Sequence, residues 1–102
     1  MYTIKIAAKA FKDIREAACF YDKRLEGLGS SFKKQVKGQL DRLEYNAELY
    51  EIRYKDIRCM SISKFPFLVH FTVDKSNKIV QVLAIIHTSR SPKVWEQKTG
   101  DF

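Results

Sequence analysis

The chain has 102 residues, 45% of them hydrophobic and 30% charged, the proportions of one globular domain spanning residues 1–102. Lys and Arg outnumber Asp and Glu by 19 to 12, a net charge of +7 at pH 7, so the expected kind of partner is a polyanion or an acidic protein. No apolar run approaches the roughly 20 residues that span a bilayer, which leaves no membrane partner, and the two cysteines, with no paired spacing, exclude a disulfide framework and a Cys/His metal centre.

The opening MYTIKIAAKA is interrupted by Lys5 and Lys9, which is unlike a signal peptide, so the chain is expected in the cytoplasm. Within it, residues 2–7 alternate, which predicts a strand with Tyr2, Ile4 and Ile6 on one face. Next, Phe11, Ile14, Ala18, Tyr21 and Leu25 follow at spacings of 3, 4, 3 and 4, the stripe of an amphipathic helix. Gly27 is placed to end that helix in the left-handed conformation. Ser30 or Ser31 is the expected N-cap of a second helix. Its apolar stripe is Phe32, Val36, Leu40 and Leu43, and its opposite face carries Lys33, Lys34, Lys37 and Arg42. Gly38 inside it lowers helix propensity by about 1 kcal/mol relative to Ala; a close approach of the two helices there would account for it. A link this short makes the pair an antiparallel hairpin.

After Asn46 the period changes. Tyr50 to Lys64 alternates as a strand with an interruption at Lys55 and Asp56, and Phe65-Pro66-Phe67 is a turn, because Pro66 lacks a donor and restricts Phe65. Phe67 to Asp74 is the next strand, Lys75 to Asn77 a polar hairpin loop, and Lys78 to His87 the last strand. The fold class is therefore α+β in the order β-α-α-β-β-β, a helical hairpin on one face of a small, mainly antiparallel sheet. The last strand is apolar on both faces, which suits the centre of the sheet. Strict alternation turns Val80, Val82, Ala84 and Ile86 toward the helices and Gln81, Leu83, Ile85 and His87 away; a slip of one residue would reverse this. Cys19 and Cys59 are expected as buried, reduced thiols.

With that order in hand, three segments resemble the RelE/ParE superfamily, the toxins of type II toxin–antitoxin systems. GLGSSF (27–32) is similar to its Gly-Leu-Gly-x-x-Phe entry to the second helix. IRYKDIRCMSISKFPFLVHFTVD (52–74) is similar to its Arg and Phe-Pro-Tyr meander, and VLAIIHTSRSPKVW (82–95) to its Val-Leu-x-Val-x-His-x-x-Arg-x-Pro-x-x-Trp ending. The resemblance implies a compact toxin neutralised by a small cognate antitoxin that folds on binding, and an acidic or amphipathic antitoxin is expected to dock on the helical hairpin and part of the sheet. It also implies one of two activities: cleavage of mRNA on the ribosome, as in RelE-like members, or poisoning of DNA gyrase, as in ParE-like members.

Metal-free RNA cleavage needs groups that deprotonate the 2′-OH, neutralise the phosphate and protonate the leaving oxygen. The eligible residues are Arg53, Tyr54, Lys55, Arg58, His70, His87 and Arg90. His70 sits among apolar neighbours and reads as packed. His87, Arg90 and Arg58 are expected side by side on the sheet face opposite the helices, with Trp95 tethering a C-terminal segment that follows Pro92. Two departures from the ribonuclease pattern matter: Leu68 stands where the phosphate-gripping Arg is common, and Thr88 and Ser89 where a Tyr or second basic residue often follows the His. The resemblance thus leans toward a ParE-like toxin that acts by protein binding, with Arg58, His87, Arg90 and Trp95 on its target surface and DNA gyrase the candidate target. The alternatives are a ribosome-dependent mRNA interferase using Arg58, His87 and Arg90, and a degenerate module that only binds its antitoxin. None of the three uses a metal or cofactor, and the oligomeric state follows from the antitoxin complex.

Overall fold

A computed structural model describes residues 1–90. Its elements are β1 (Thr3–Ile6), α1 (Ala8–Arg24), α2 (Leu28–Asn46), a 3₁₀ turn (Ala47–Leu49), β2 (Ile52–Tyr54), β3 (Ile57–Ser61), β4 (Phe67–Asp74) and β5 (Ile79–His87). The five strands form one sheet in the order β1-β5-β4-β3-β2. β1 lies parallel to β5 and the other pairs are antiparallel. The expected α+β architecture is present, with one more strand: Tyr50 to Lys64 is a hairpin, because Lys55 adopts φ 48° and turns the chain between β2 and β3. β5 is an interior strand between β1 and β4, while the middle place belongs to β4.

The helices pack on one face of this sheet. In α2 the buried side chains include Phe32, Val36, Leu40 and Leu43, the predicted stripe. In α1 the stripe differs from the predicted one. Ala10, Asp13, Ala17 and Ala18 are buried, whereas Phe11 and Leu25 are 48% and 63% exposed. Small residues let α1 lie close on the sheet; Phe11 is displaced from that line by 100° and falls outside it. Between the helices, Gly27 takes φ 88° as expected, and α2 begins at Leu28, directly after it. The N-cap is therefore Gly27 and neither serine; Ser31 instead turns its own N–H back to the Gly27 carbonyl at 3.2 Å.

The glycine at the helix contact is Gly29, where a Cβ would lie 2.4 Å from the Ala18 carbonyl oxygen. Its N–H donates to Asp22 Oδ1 at 2.8 Å. Gly38 faces open space, so the close-approach explanation moves from Gly38 to Gly29.

β5 does not alternate throughout. His70 pairs with Ala84 and Phe71 with Val82, so Leu83 has no partner across the strand: it is a β-bulge. One extra residue inverts everything after it. Val80 and Val82 join the core against the helices as expected, but so does Ile85, while Ala84 and Ile86 are buried outside that core cluster. His87 follows Ile85 onto the helix side. It pairs with Phe67, whose ring contacts Tyr21 and Phe32 of the two helices.

Candidate functional site

The bulge delivers the end of β5 to a cleft of about 500 Å³ beside α1. His87 packs edge-on against Phe67, ring centroids 5.1 Å apart and planes at 78°. The Ser89 N–H donates to His87 Nδ1 at 3.1 Å, and Ser89 Oγ is 2.8 Å from the same nitrogen. An N–H donor requires a lone pair on Nδ1, so the neutral ring carries its proton on Nε2. The loop that follows is pinned at two points: the Thr88 N–H donates to the Pro66 carbonyl at 2.9 Å, and the Arg90 N–H to the His87 carbonyl at 3.0 Å.

Of the predicted site residues, the structure brings His87 and Arg90 together and keeps Arg58 apart. His87 and Arg90 line the same cleft, on the side of the helices and not on the opposite face. Arg58 pairs with Phe71, which pairs with Val82. Along β5 that is five residues from His87, roughly 16 Å at 3.3 Å per residue. Its guanidinium donates to the carbonyls of Glu48 (3.0 Å) and Tyr50 (2.7 Å) and so ties the chain after α2 to β3. Trp95 and the segment after Pro92 lie outside the described residues.

The walls of the cleft include Asp13 and Glu16 of α1, so His87 and Arg90 face carboxylates. Each carboxylate has a lysine partner on the same helix, Asp13 with Lys9 and Glu16 with Lys12 at 3.8 Å. Asp13 is only 6% exposed; it accepts the Ile85 N–H at 3.0 Å and pairs with Lys9. The apolar stripe of α1 gave no notice of it. The signal available was its place three residues after Ala10 and four before Ala17, on the face that is in fact buried.

On the other side of the sheet, His70 is fully buried with Tyr54 Oη 2.9 Å and Cys59 Sγ 3.5 Å from its Nδ1. Burial pulls the His70 pKa down to about 4 and pushes the Cys59 thiol up to about 11. At neutral pH both are uncharged, so this contact holds no thiolate nucleophile. Cys59 is buried as expected, and Cys19 is exposed on α1. Among the described residues no group of three His, Cys, Asp or Glu is placed to hold a metal ion, and no helix is long and apolar enough to cross a membrane.

A second feature lies where the helical hairpin meets the edge of the sheet. Between α1, α2 and β1 runs a groove of about 800 Å³. Ile4, Ile6, Ile14, Val36 and Leu40 contribute apolar surface to it, with Phe11 at its edge. The Thr3 N–H donates to the carbonyl of Lys78, just before β5, and the Ala7 N–H to that of Val82 in β5, so alternation turns the peptide groups of Ile4 and Ile6 outward on this side.

Comparison with known proteins places this geometry. Among solved structures, the fold matches a chain of the chromosomal ParDE toxin–antitoxin system from P. aeruginosa with a TM-score of 0.77 at 20% identity, over 87% of this chain and 98% of that one. It matches the intact E. coli RelBE toxin–antitoxin complex (TM-score 0.66, 18% identity, 88% of this chain and 100% of that chain). The isolated E. coli RelE toxin is similar at 0.64 and 19%, over 95% of each chain. No curated protein sequence matches. The model of the ParE toxin of the type II toxin–antitoxin system parDE matches residues 4–92, and the chain therefore belongs to the ParE toxin family.

Proposed function

We propose that the protein is a growth-inhibiting toxin that blocks a protein target, with DNA gyrase the candidate, and that a cognate antitoxin neutralises it. The observation that carries the choice of binding over RNA cleavage is the separation of the basic groups. Arg58 is committed to two backbone carbonyls, while His87 and Arg90 share a cleft with Asp13 and Glu16. A ribonuclease site needs its cations converged on one phosphate. A protein target tolerates the mixed charge, and Arg90 with the ring of His87 forms a polar and aromatic contact of the kind that anchors interfaces.

The antitoxin is assigned to the groove between α1, α2 and β1. Its apolar floor and outward peptide groups fit a segment that orders on binding. The parDE family match and the likeness to two toxin–antitoxin systems support that reading. The test is to express the chain with and without the product of the neighbouring gene and to assay purified gyrase supercoiling and mRNA cleavage on translating ribosomes. Inhibited supercoiling, relieved by the neighbour, is the expected result. Cleavage of mRNA that is lost in His87→Ala would replace this reading with the interferase, and no inhibition of either would leave the antitoxin-binding module.

A further inference from the structure

The groove carries a pattern that antitoxin binding alone does not explain. Lys33, Lys37, Asp41 and Glu44 follow one another on α2 at spacings of 4, 4 and 3, one row along the helix. All four line the groove, and Arg15 adds a third cation from the facing helix. The row changes sign midway. Its cations lie in the N-terminal half of α2; its carboxylates lie in the C-terminal half, where the Tyr2 N–H donates to the Glu44 carbonyl at 2.8 Å. From Lys33 to Glu44 is about 16 Å of helix. The pairing within the row, Lys37 Nζ to Asp41 Oδ2 at 3.4 Å, joins side chains that are 80% and 61% exposed. Such exposed pairs are weak. An apolar segment that covers them and expels water strengthens whatever charge it brings beside them.

We propose that the groove reads the charge order of its occupant. The occupant is a segment of the antitoxin with apolar residues on the floor, a carboxylate beside Lys33 and Lys37, and a Lys or Arg beside Asp41 and Glu44. This rests on the antitoxin reading above and adds a direction to it. A segment laid the other way would set like charges together at both ends, which rejects it. The groove is thereby a specificity device as well as an apolar seat.

The test uses the whole chain, with the product of the neighbouring gene as the probe. Calorimetry measures its affinity for the wild type, for Lys33→Glu with Lys37→Glu, and for Asp41→Lys with Glu44→Lys. Each reversal should weaken binding about tenfold or more at low salt, and the loss should shrink at about 0.5 M salt. Reversing the facing charges of the probe should restore the affinity. Affinities within about twofold of wild type for both reversals would overturn the proposal. Should a reversal unfold the chain, Lys37→Gln and Asp41→Asn serve in its place, each expected to weaken binding about threefold. A second copy of this chain in the groove, seen as a dimer that either reversal dissolves, would also overturn it. A probe that fails to bind the wild type removes the antitoxin reading, and the charge order with it.

Discussion

Asp13 of α1 accepts a hydrogen bond from the backbone N–H of Ile85, 72 residues away in sequence, at 3.0 Å. The reason is topological. β1 pairs with β5 only as far as Val82, so Ile85 has no strand on that side, and a carboxylate takes the place of the missing carbonyl. Asp13→Ala orphans a buried donor, and the expected loss is about 2–3 kcal/mol. Asp13→Asn keeps an acceptor and loses only the partly exposed Lys9 pair, an expected cost of about 1 kcal/mol. Urea unfolding of both variants checks the difference; equal losses would show that the hydrogen bond to Ile85 is not what holds β5.

The two helical glycines predict opposite outcomes. Gly29→Ala forces a methyl group to within 2.4 Å of the Ala18 carbonyl oxygen, a position that only movement of the helices can relieve. The expected destabilisation is about 3 kcal/mol. Gly38→Ala meets nothing and removes a weak helix former, so it should stabilise by about 0.5–1 kcal/mol. Thermal melts of the two single variants decide, and a stabilising Gly29→Ala would show that the helices are not in close contact.

His70 makes stability depend on pH. Its folded pKa is lowered from 6.5 to about 4, so the unfolded chain binds more protons between those values. The contribution is fully present above pH 6.5 and is lost as pH falls toward 4, by about 3 kcal/mol at most. His70→Gln should flatten this part of the stability curve. Urea midpoints from pH 7 to pH 4, with the slope unchanged in the variant, would place the acid sensitivity elsewhere.

Arg90 and His87 separate binding from chemistry. Arg90→Glu should weaken growth inhibition about tenfold or more, because it reverses the cation proposed to contact the target. His87→Ala should change it by no more than about threefold, through lost contact with Phe67. Induction titres of the two variants at matched expression are the measurement. The reverse ranking would favour acid–base work by His87.

The α2 stripe was legible because every member is large and apolar and the helix has one wet side. The same rule misreads α1. Hydropathy ranks Phe11 above Ala10, while a close helix–sheet contact ranks them the other way. It also has no means of seeing that Asp13 is wanted inside, since the donor it serves is on β5. The Leu83 bulge carries no Gly or Pro to mark it; Leu83 looks like its neighbours, and the inversion that moves His87 is invisible to a period of two. Arg58 was expected on the open face beside His87 and Arg90, and its actual partners, the carbonyls of Glu48 and Tyr50, come from the chain after α2, which strand alternation does not see. The groove needs three elements to exist and appears in none of them singly.

The bulge also makes β5 a place where pairing and not identity decides what the chain displays. Deleting Leu83 would join Val82 to Ala84, keep the pairings on either side and leave Ile85 and His87 on the helix side, whereas closing the bulge with Leu83 in place would turn both to the far side and pull the Ile85 N–H away from Asp13. A bulge gained or lost at constant length is therefore a change of surface. Two relatives of equal length in this strand, one with the bulge and one without it, would carry the same histidine on opposite sides of the molecule.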